Sequence, residues 1–215
     1  MLNYLGPADP FPPVSEAGPD GLLAFGGDLS ISRLLEAYRK GIFPWYDEDP
    51  ILWWCPDPRF VLFPDELKIS KSMRPLLNGQ LMSFSINSAF REVMICCKQA
   101  GRPGQNGTWI NEEIVKSYTD LHRLGYAHSA ECRMGDQLVG GLYGIRLGNI
   151  FFGESMFCEV SNASKFAFIK MVQQLKSDGV QLIDCQVYTG HLESLGARMI
   201  SRSEFLEILD ANISY

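Results

Sequence analysis

The feature that most constrains what this chain can fold into is the spacing of residues 127–157. Three strand candidates, residues 127–133, 137–146 and 149–157, are separated only by Met134-Gly-Asp136 and Leu147-Gly148. Connectors that short join antiparallel neighbours, so the segment predicts a three-stranded meander. Helical periodicity flanks it. Residues 88–100 and 111–124 precede the meander, and Asn111 with Glu113 in the first turn makes a sensible helix start. A helix beginning near Ser161-Asn162 and reaching about residue 177 follows. A strand at 182–187, a short helix at 191–195 and a helical stretch at 203–211 complete the chain. The order α-α-β-β-β-α-β predicts a mixed α+β domain.

The N-terminal region is different in character, being rich in Pro and Gly. Ser30 is placed to cap a helix over residues 31–40, whose apolar positions Leu34, Leu35 and Tyr38 share a face, and Gly41 is placed to end it. Residues 51–58 and 60–63 read as short strands broken by proline. Residues 1–80 are taken as a small subdomain and 81–215 as the main domain, a boundary drawn from typical domain anatomy. Residues 101–107, Gly-Arg-Pro-Gly-Gln-Asn-Gly, read as a flexible loop.

Composition narrows the function. A chain of 215 residues with 46% hydrophobic and 20% charged residues can bury a sizeable core. It holds no run of roughly 18 apolar residues and no signal pattern, so a cytoplasmic protein without membrane contact is expected. The six cysteines form no CxxC pair and the three histidines no HExxH motif, so neither a disulfide framework, a metal site nor a cofactor is indicated. A net charge of −6 argues against extensive phosphate binding, leaving any RNA contact to a small patch.

Four constellations carry chemistry. In Leu182-Ile-Asp-Cys-Gln-Val187, period-two geometry turns Asp184 and Gln186 to one face of an apolar strand. That pair can handle a proton or orient an amine, or it can be a structural hydrogen-bond pair. Glu154 interrupts the apolar Phe151-Phe-Gly-Glu-Ser-Met-Phe157, beside Gly153 where a bulge fits. It can bind a cationic substrate or pair with a neighbouring Arg or Lys. Tyr38, Trp45, Trp53, Trp54 and Trp109 fall in or beside loops, able to stack on a nucleobase or to fill core. Lys68, Lys71 and Arg74 form a basic stripe at helical spacing, suited to phosphates or simply a solvated face. His122 and His128 read as structural, and His191 receives no role although a role is open to it.

Six segments, Phe25-Gly-Gly-Asp-Leu-Ser30, Gly41-Ile-Phe-Pro-Trp45, Ile51-Leu-Trp-Trp-Cys-Pro-Asp-Pro-Arg59, Gly107-Thr-Trp-Ile110, Gly153-Glu-Ser-Met-Phe157 and Leu182-Ile-Asp-Cys-Gln186, occur together and in order. As a set they resemble the bacterial leucyl/phenylalanyl-tRNA-protein transferase family. The resemblance implies a GNAT-like acyltransferase domain with a smaller N-terminal α/β subdomain. It implies an aminoacyltransferase moving Leu or Phe, and Met less readily, from aminoacyl-tRNA to an N-terminal Arg or Lys of an acceptor protein, marking it for degradation. Carried over motif by motif, Asp184 and Gln186 would be the catalytic pair and Glu154 would help hold the acceptor. Trp45, Trp109 and Tyr38 would contact the terminal adenosine of the tRNA. Phe151, Met156, Phe168, Met171 and Ile183 would line the amino-acid side-chain pocket.

Phe151 and Met156 are five apart and cannot share a face of a straight strand, so that pocket demands a bulge at Gly153. Two departures from the family stand out. Leu142 occupies a position where Met is expected, and the chain ends at Tyr215 where family members run on. Two rival readings are a GNAT-type acetyltransferase and a non-catalytic RNA- or peptide-binding adaptor. Against the first, Cys158-Glu-Val-Ser-Asn-Ala163 lacks the glycines of a pyrophosphate-cradling turn.

Overall fold

The computed structural model describes residues 2–6, 8–101 and 108–213. Most of the loop expected at 101–107 therefore lies outside the described residues. Two sheets organise the rest. The smaller contains β1 (Asn3–Leu5), β2 (Leu22–Gly26), β3 (Phe43–Pro44) and β4 (Leu52–Trp54) in the order β1-β2-β4-β3. Helix α1 (Ile31–Arg39) connects β2 to β3. Ser30 caps it by accepting the Arg33 N–H at 3.4 Å, a first-turn donor that has no partner within the helix. Leu34, Leu35 and Tyr38 are all buried, as the apolar stripe requires.

The larger sheet comprises β5 (Arg59–Leu62), β6 (Ser83–Ile86), β7 (Ala127–Met134), β8 (Gln137–Leu147), β9 (Ile150–Cys158), β10 (Leu182–Gln186) and β11 (Arg198–Ile200). Its order is β11-β5-β10-β9-β8-β7-β6. The meander predicted from the short connectors is β7-β8-β9, antiparallel throughout. Among the described pairs of this sheet only β9 and β10 run parallel, and helix α5 (Ala163–Ser177) makes the crossover between them. Residues up to 80, read from sequence as one unit, contribute to both sheets, since β5 sits inside the larger one.

Helices α3 (Phe90–Gln99) and α4 (Glu112–Arg123) share one hydrophobic cluster with α1, the small sheet and the C-terminal helix α7 (Arg202–Asn212). Helix α5 anchors a second cluster with Leu142, Phe151 and Ile183 of the sheet. Gly140 lets α5 lie against β8, because a Cβ there would come within 2.6 Å of the Ala163 methyl. The described chain also holds α2 (Arg74–Asn78) and α6 (Gly190–Glu193).

The basic stripe is a correction. Lys68 and Lys71 precede α2 and lie in irregular or turn structure, so only Arg74 is helical. The backbone of Lys68 is instead taken up by the Leu195 carbonyl at 2.8 Å, which pulls the segment away from a helical path. All three side chains are exposed. Among the described residues no helix is long and apolar enough to cross a membrane.

Candidate active site

Strands β9 and β10 pair only from Leu182↔Ile150 to Asp184↔Phe152, and both continue beyond the last pair. Each carries an irregularity just there. On β9, Gly144 faces Gly153 and Tyr143 faces Ser155, so Glu154 is the extra residue of a bulge. On β10, the pairing with β5 shifts between Asp184 and Gln186, and Gln186 adopts a left-handed φ of 63°. Bulges bend strands, and between these two opens a cavity of about 640 Å³. Residues 153–158 of β9 and 183–186 of β10, with Val187 just after it, wall it on either side.

The bulge delivers Glu154 to a polar cluster. Its Oε1 accepts from the Tyr38 hydroxyl at 2.7 Å and the Gln186 amide Nε2 at 3.2 Å, and its Oε2 accepts from the Tyr118 hydroxyl at 3.3 Å. Tyr38 and Tyr118 also meet each other at 2.5 Å. Burial, reinforced by the charge of Asp184, pushes the Glu154 carboxyl up to about 8 against the opposing pull of its three donors. The same burial beside Glu154 raises both tyrosines, which therefore stay as donors.

Asp184 has a different environment. It is fully buried and takes a bidentate fork from Arg59, Nε to Oδ1 at 2.8 Å and Nη2 to Oδ2 at 2.6 Å. Its Oδ1 also accepts the backbone N–H of Gln186 at 2.9 Å. With no exposed surface the carboxylate cannot touch a ligand. The polar side chain that this strand turns to the cavity is Gln186, whose amide Nε2 is committed to Glu154 and whose carbonyl oxygen is left to accept from a ligand.

The remaining walls divide by polarity. Leu142, Met156, Phe168, Ile183 and Leu192 make an apolar side, while Trp45 and Trp109 stand on the other, nearer α4. Trp54 steadies the half-buried Trp45, donating its indole N–H to the Trp45 carbonyl at 2.7 Å with the rings 5.8 Å apart. An apolar pocket, a stacking wall and a buried carboxyl group thus share one cavity. Among the described residues no group of three or more His, Cys, Asp or Glu is placed to hold a metal.

The family model described as leucyl/phenylalanyl-tRNA protein transferase matches residues 61–210, and that of the family's N-terminal domain matches residues 27–57. The chain belongs to this family. The transferase is 57% identical to the leucyl/phenylalanyl-tRNA-protein transferase of Christiangramia forsetii, over 97% of this chain and 100% of the relative. It is 58% identical to that of Flavobacterium johnsoniae, over 93% and 94%, and 53% identical to that of Chromobacterium violaceum, over 100% and 93%. Membership makes the protein an aminoacyltransferase. Among solved structures it is similar to a GCN5-related N-acetyltransferase from Kribbella flavida, with 9% identity, a TM-score of 0.43, and 78% of this chain and 60% of that one covered.

The transferase brings most of the expected residues to the cavity. Glu154, Gln186, Trp45, Trp109, Met156, Phe168 and Ile183 all line it, and Asp184 borders it with its carboxylate buried behind the wall. Phe151 and Met171 are buried in the adjoining cluster and stand behind the wall. The bulge demanded by Phe151 and Met156 is present, and both pack into that same cluster. Tyr38 differs from its expected setting: it is fully buried, packs on Phe152, and offers a hydroxyl to Glu154 where a stacking face was expected. Trp53 is core, with its indole N–H on the Gly26 carbonyl at 2.8 Å.

Sequence reasoning missed Tyr118 and gave Arg59 no role. Tyr118 carried a weak signal, a hydroxyl on the apolar face of a helix. Arg59 lies in a quoted segment, but nothing local indicates a partner 125 positions away. His191 also reaches the cavity, and its Nε2 is buried with no hydrogen-bond partner among the described residues.

Proposed function

We propose that this aminoacyltransferase moves Leu or Phe, and Met less readily, from the 3′ end of aminoacyl-tRNA to an acceptor protein that begins with Arg or Lys, marking the product for degradation. The observation that carries the reading is Glu154, a desolvated carboxyl on the wall of a cavity whose other side is apolar. A cationic side chain is the natural counterpart of that carboxyl, and a Leu or Phe side chain fits against Met156, Phe168 and Ile183, with Phe151 and Met171 behind them. Trp45 and Trp109 are placed to stack on the terminal adenosine. Tyr38 serves that end only indirectly, by orienting Glu154. The reaction as a whole belongs to the cytoplasm, where charged tRNA is found.

The chemistry asks little beyond positioning. The ester is already activated, so attack by the acceptor's α-amine forms the N–C bond, breaks the C–O bond to the ribose, and passes one proton from nitrogen to the departing 3′ oxygen. A free α-amine with a pKa of about 7.7 to 8.0 is partly neutral at pH 7. In this reading the Gln186 carbonyl accepts an N–H of that amine and turns its lone pair toward the ester. Asp184 makes up the catalytic pair from behind, through the Gln186 backbone.

Incubating the protein with Phe-tRNA and a peptide that begins with Arg should yield the Phe-extended peptide, read by mass spectrometry. No extension, or acetylation when acetyl-CoA is supplied instead, would sink the reading. A peptide beginning with Glu should stay unmodified.

A further inference from the structure

Arg59 is an unusual residue to find in a protein interior. Its guanidinium is fully buried, clamped between the rings of Phe43 from the small sheet and Phe205 from α7, at 4.7 and 4.6 Å from the two centroids. It satisfies Asp184 with Nε and Nη2, yet Nη1 is buried with no hydrogen-bond partner among the described residues. Buried ion pairs often stabilise no better than apolar residues of the same volume, and one with an unsatisfied donor is poorer still. Stability is therefore a weak explanation for the pair.

Geometry offers a better one. Gln186 is not glycine yet sits at φ 63°, a backbone state that persists only where surroundings enforce it. Two contacts hold it there: the Val187 N–H on the Cys185 carbonyl at 2.8 Å, which closes the turn over Gln186, and the Gln186 N–H on Asp184 Oδ1, an oxygen itself held in place by Arg59 Nε. Arg59 lies on β5, the strand against which the β10 register shifts at this residue. The clamp by Phe43 and Phe205 prevents the guanidinium from following the carboxylate elsewhere.

We propose that Arg59 is a positioning residue of the transfer reaction: it fixes Asp184, which pins the left-handed backbone of Gln186 and so aims the Gln186 amide at Glu154 and the attacking amine. The inference rests on the reading above that Gln186 acts on that amine. It also makes the C-terminal helix part of the catalytic support through Phe205, and gives Phe43 of the small sheet, which lines the cavity, a second task.

The test is a thermodynamic cycle on the full chain, with Phe-tRNA and an Arg-starting peptide as substrates. R59M/D184L replaces the pair by apolar residues. Its melting temperature should stay near that of the parent, its KM for Phe-tRNA should hold, and its kcat should fall about 100-fold, as displaced catalytic groups typically cost. Q186A alone should cost about as much, and adding Q186A to R59M/D184L should cost little further, because the pair acts on the attacking amine through Gln186. A folded R59M/D184L that keeps the parent kcat, or a triple variant in which the losses multiply, overturns the proposal. Full activity in Q186A alone would instead overturn the reading on which it rests. If R59M/D184L does not fold, R59K supplies the cycle, since it keeps the buried charge but cannot fork, and the same non-additivity with Q186A decides.

Discussion

A carboxyl group that burial has pushed up to about 8 is mostly protonated at pH 7, and a cationic side chain arriving beside it drives the proton off. Acceptor binding at pH 7 should therefore release a proton, measurable by calorimetry in buffers of different ionisation enthalpy, and affinity should rise as pH climbs toward 8. E154Q should abolish the release and flatten that dependence. The sign for stability is opposite. Between its unfolded value near 4.5 and about 8, Glu154 holds a proton only in the folded chain, so stability falls as pH rises through that window. E154Q should melt with a shallower pH dependence there. Trp45 invites a separate test at this scale. W45A should raise the KM for Phe-tRNA by roughly 5- to 100-fold, the worth of one stacked base, while the acceptor KM stays unchanged in steady-state assays.

Elements show why some strands were legible and others were not. The β7-β8-β9 meander announced itself through its connectors, and α1 and α4 through Ser30 and Asn111, which cap them as expected. By contrast β6, β11 and the strands β1 and β2 escaped, since over three to five residues periodicity separates poorly from loop, and β5 and β10, equally short, were legible as apolar runs. Helix α3 is a further case: Ala89 at its start has no capping side chain. The cap comes from the fully buried Glu131 on β7, which accepts from the hydroxyls of Ser85, Ser88 and Ser129 and from the N–H groups of Ser88 and Ala89. E131L would strand those donors and should cost about 3 kcal/mol in denaturant unfolding. Activity per folded molecule should survive, since Glu131 does not line the cavity.

At the scale of the whole molecule, a net charge of −6 leaves little surface to engage the phosphates of a tRNA body. The KM for Phe-tRNA should therefore climb gently with salt, with a log-log slope of magnitude about 2 or less, as expected if two or three phosphates are contacted. A slope several times steeper would mean that the tRNA body is gripped and that Lys68, Lys71 and Arg74 must be reconsidered. The sequence by itself determined the α+β class, the meander, the cap residues and, through six ordered segments, the family. Joined to the pocket that the resemblance implies, it also required β9 to bulge, since five-residue spacing cannot otherwise bring Phe151 and Met156 together. Only the tertiary structure decided that the bulged residue is Glu154, that Tyr38 supports it from inside the core, and that Asp184 is sealed beneath Arg59 while the Gln186 side chain reaches the cavity. The physical reason is separation along the chain. Periodicity and capping act over a few residues, whereas the contacts that make this site span 32 to 125 positions and exist only once β5, β9 and β10 have paired and α1 and α4 have packed against the sheet.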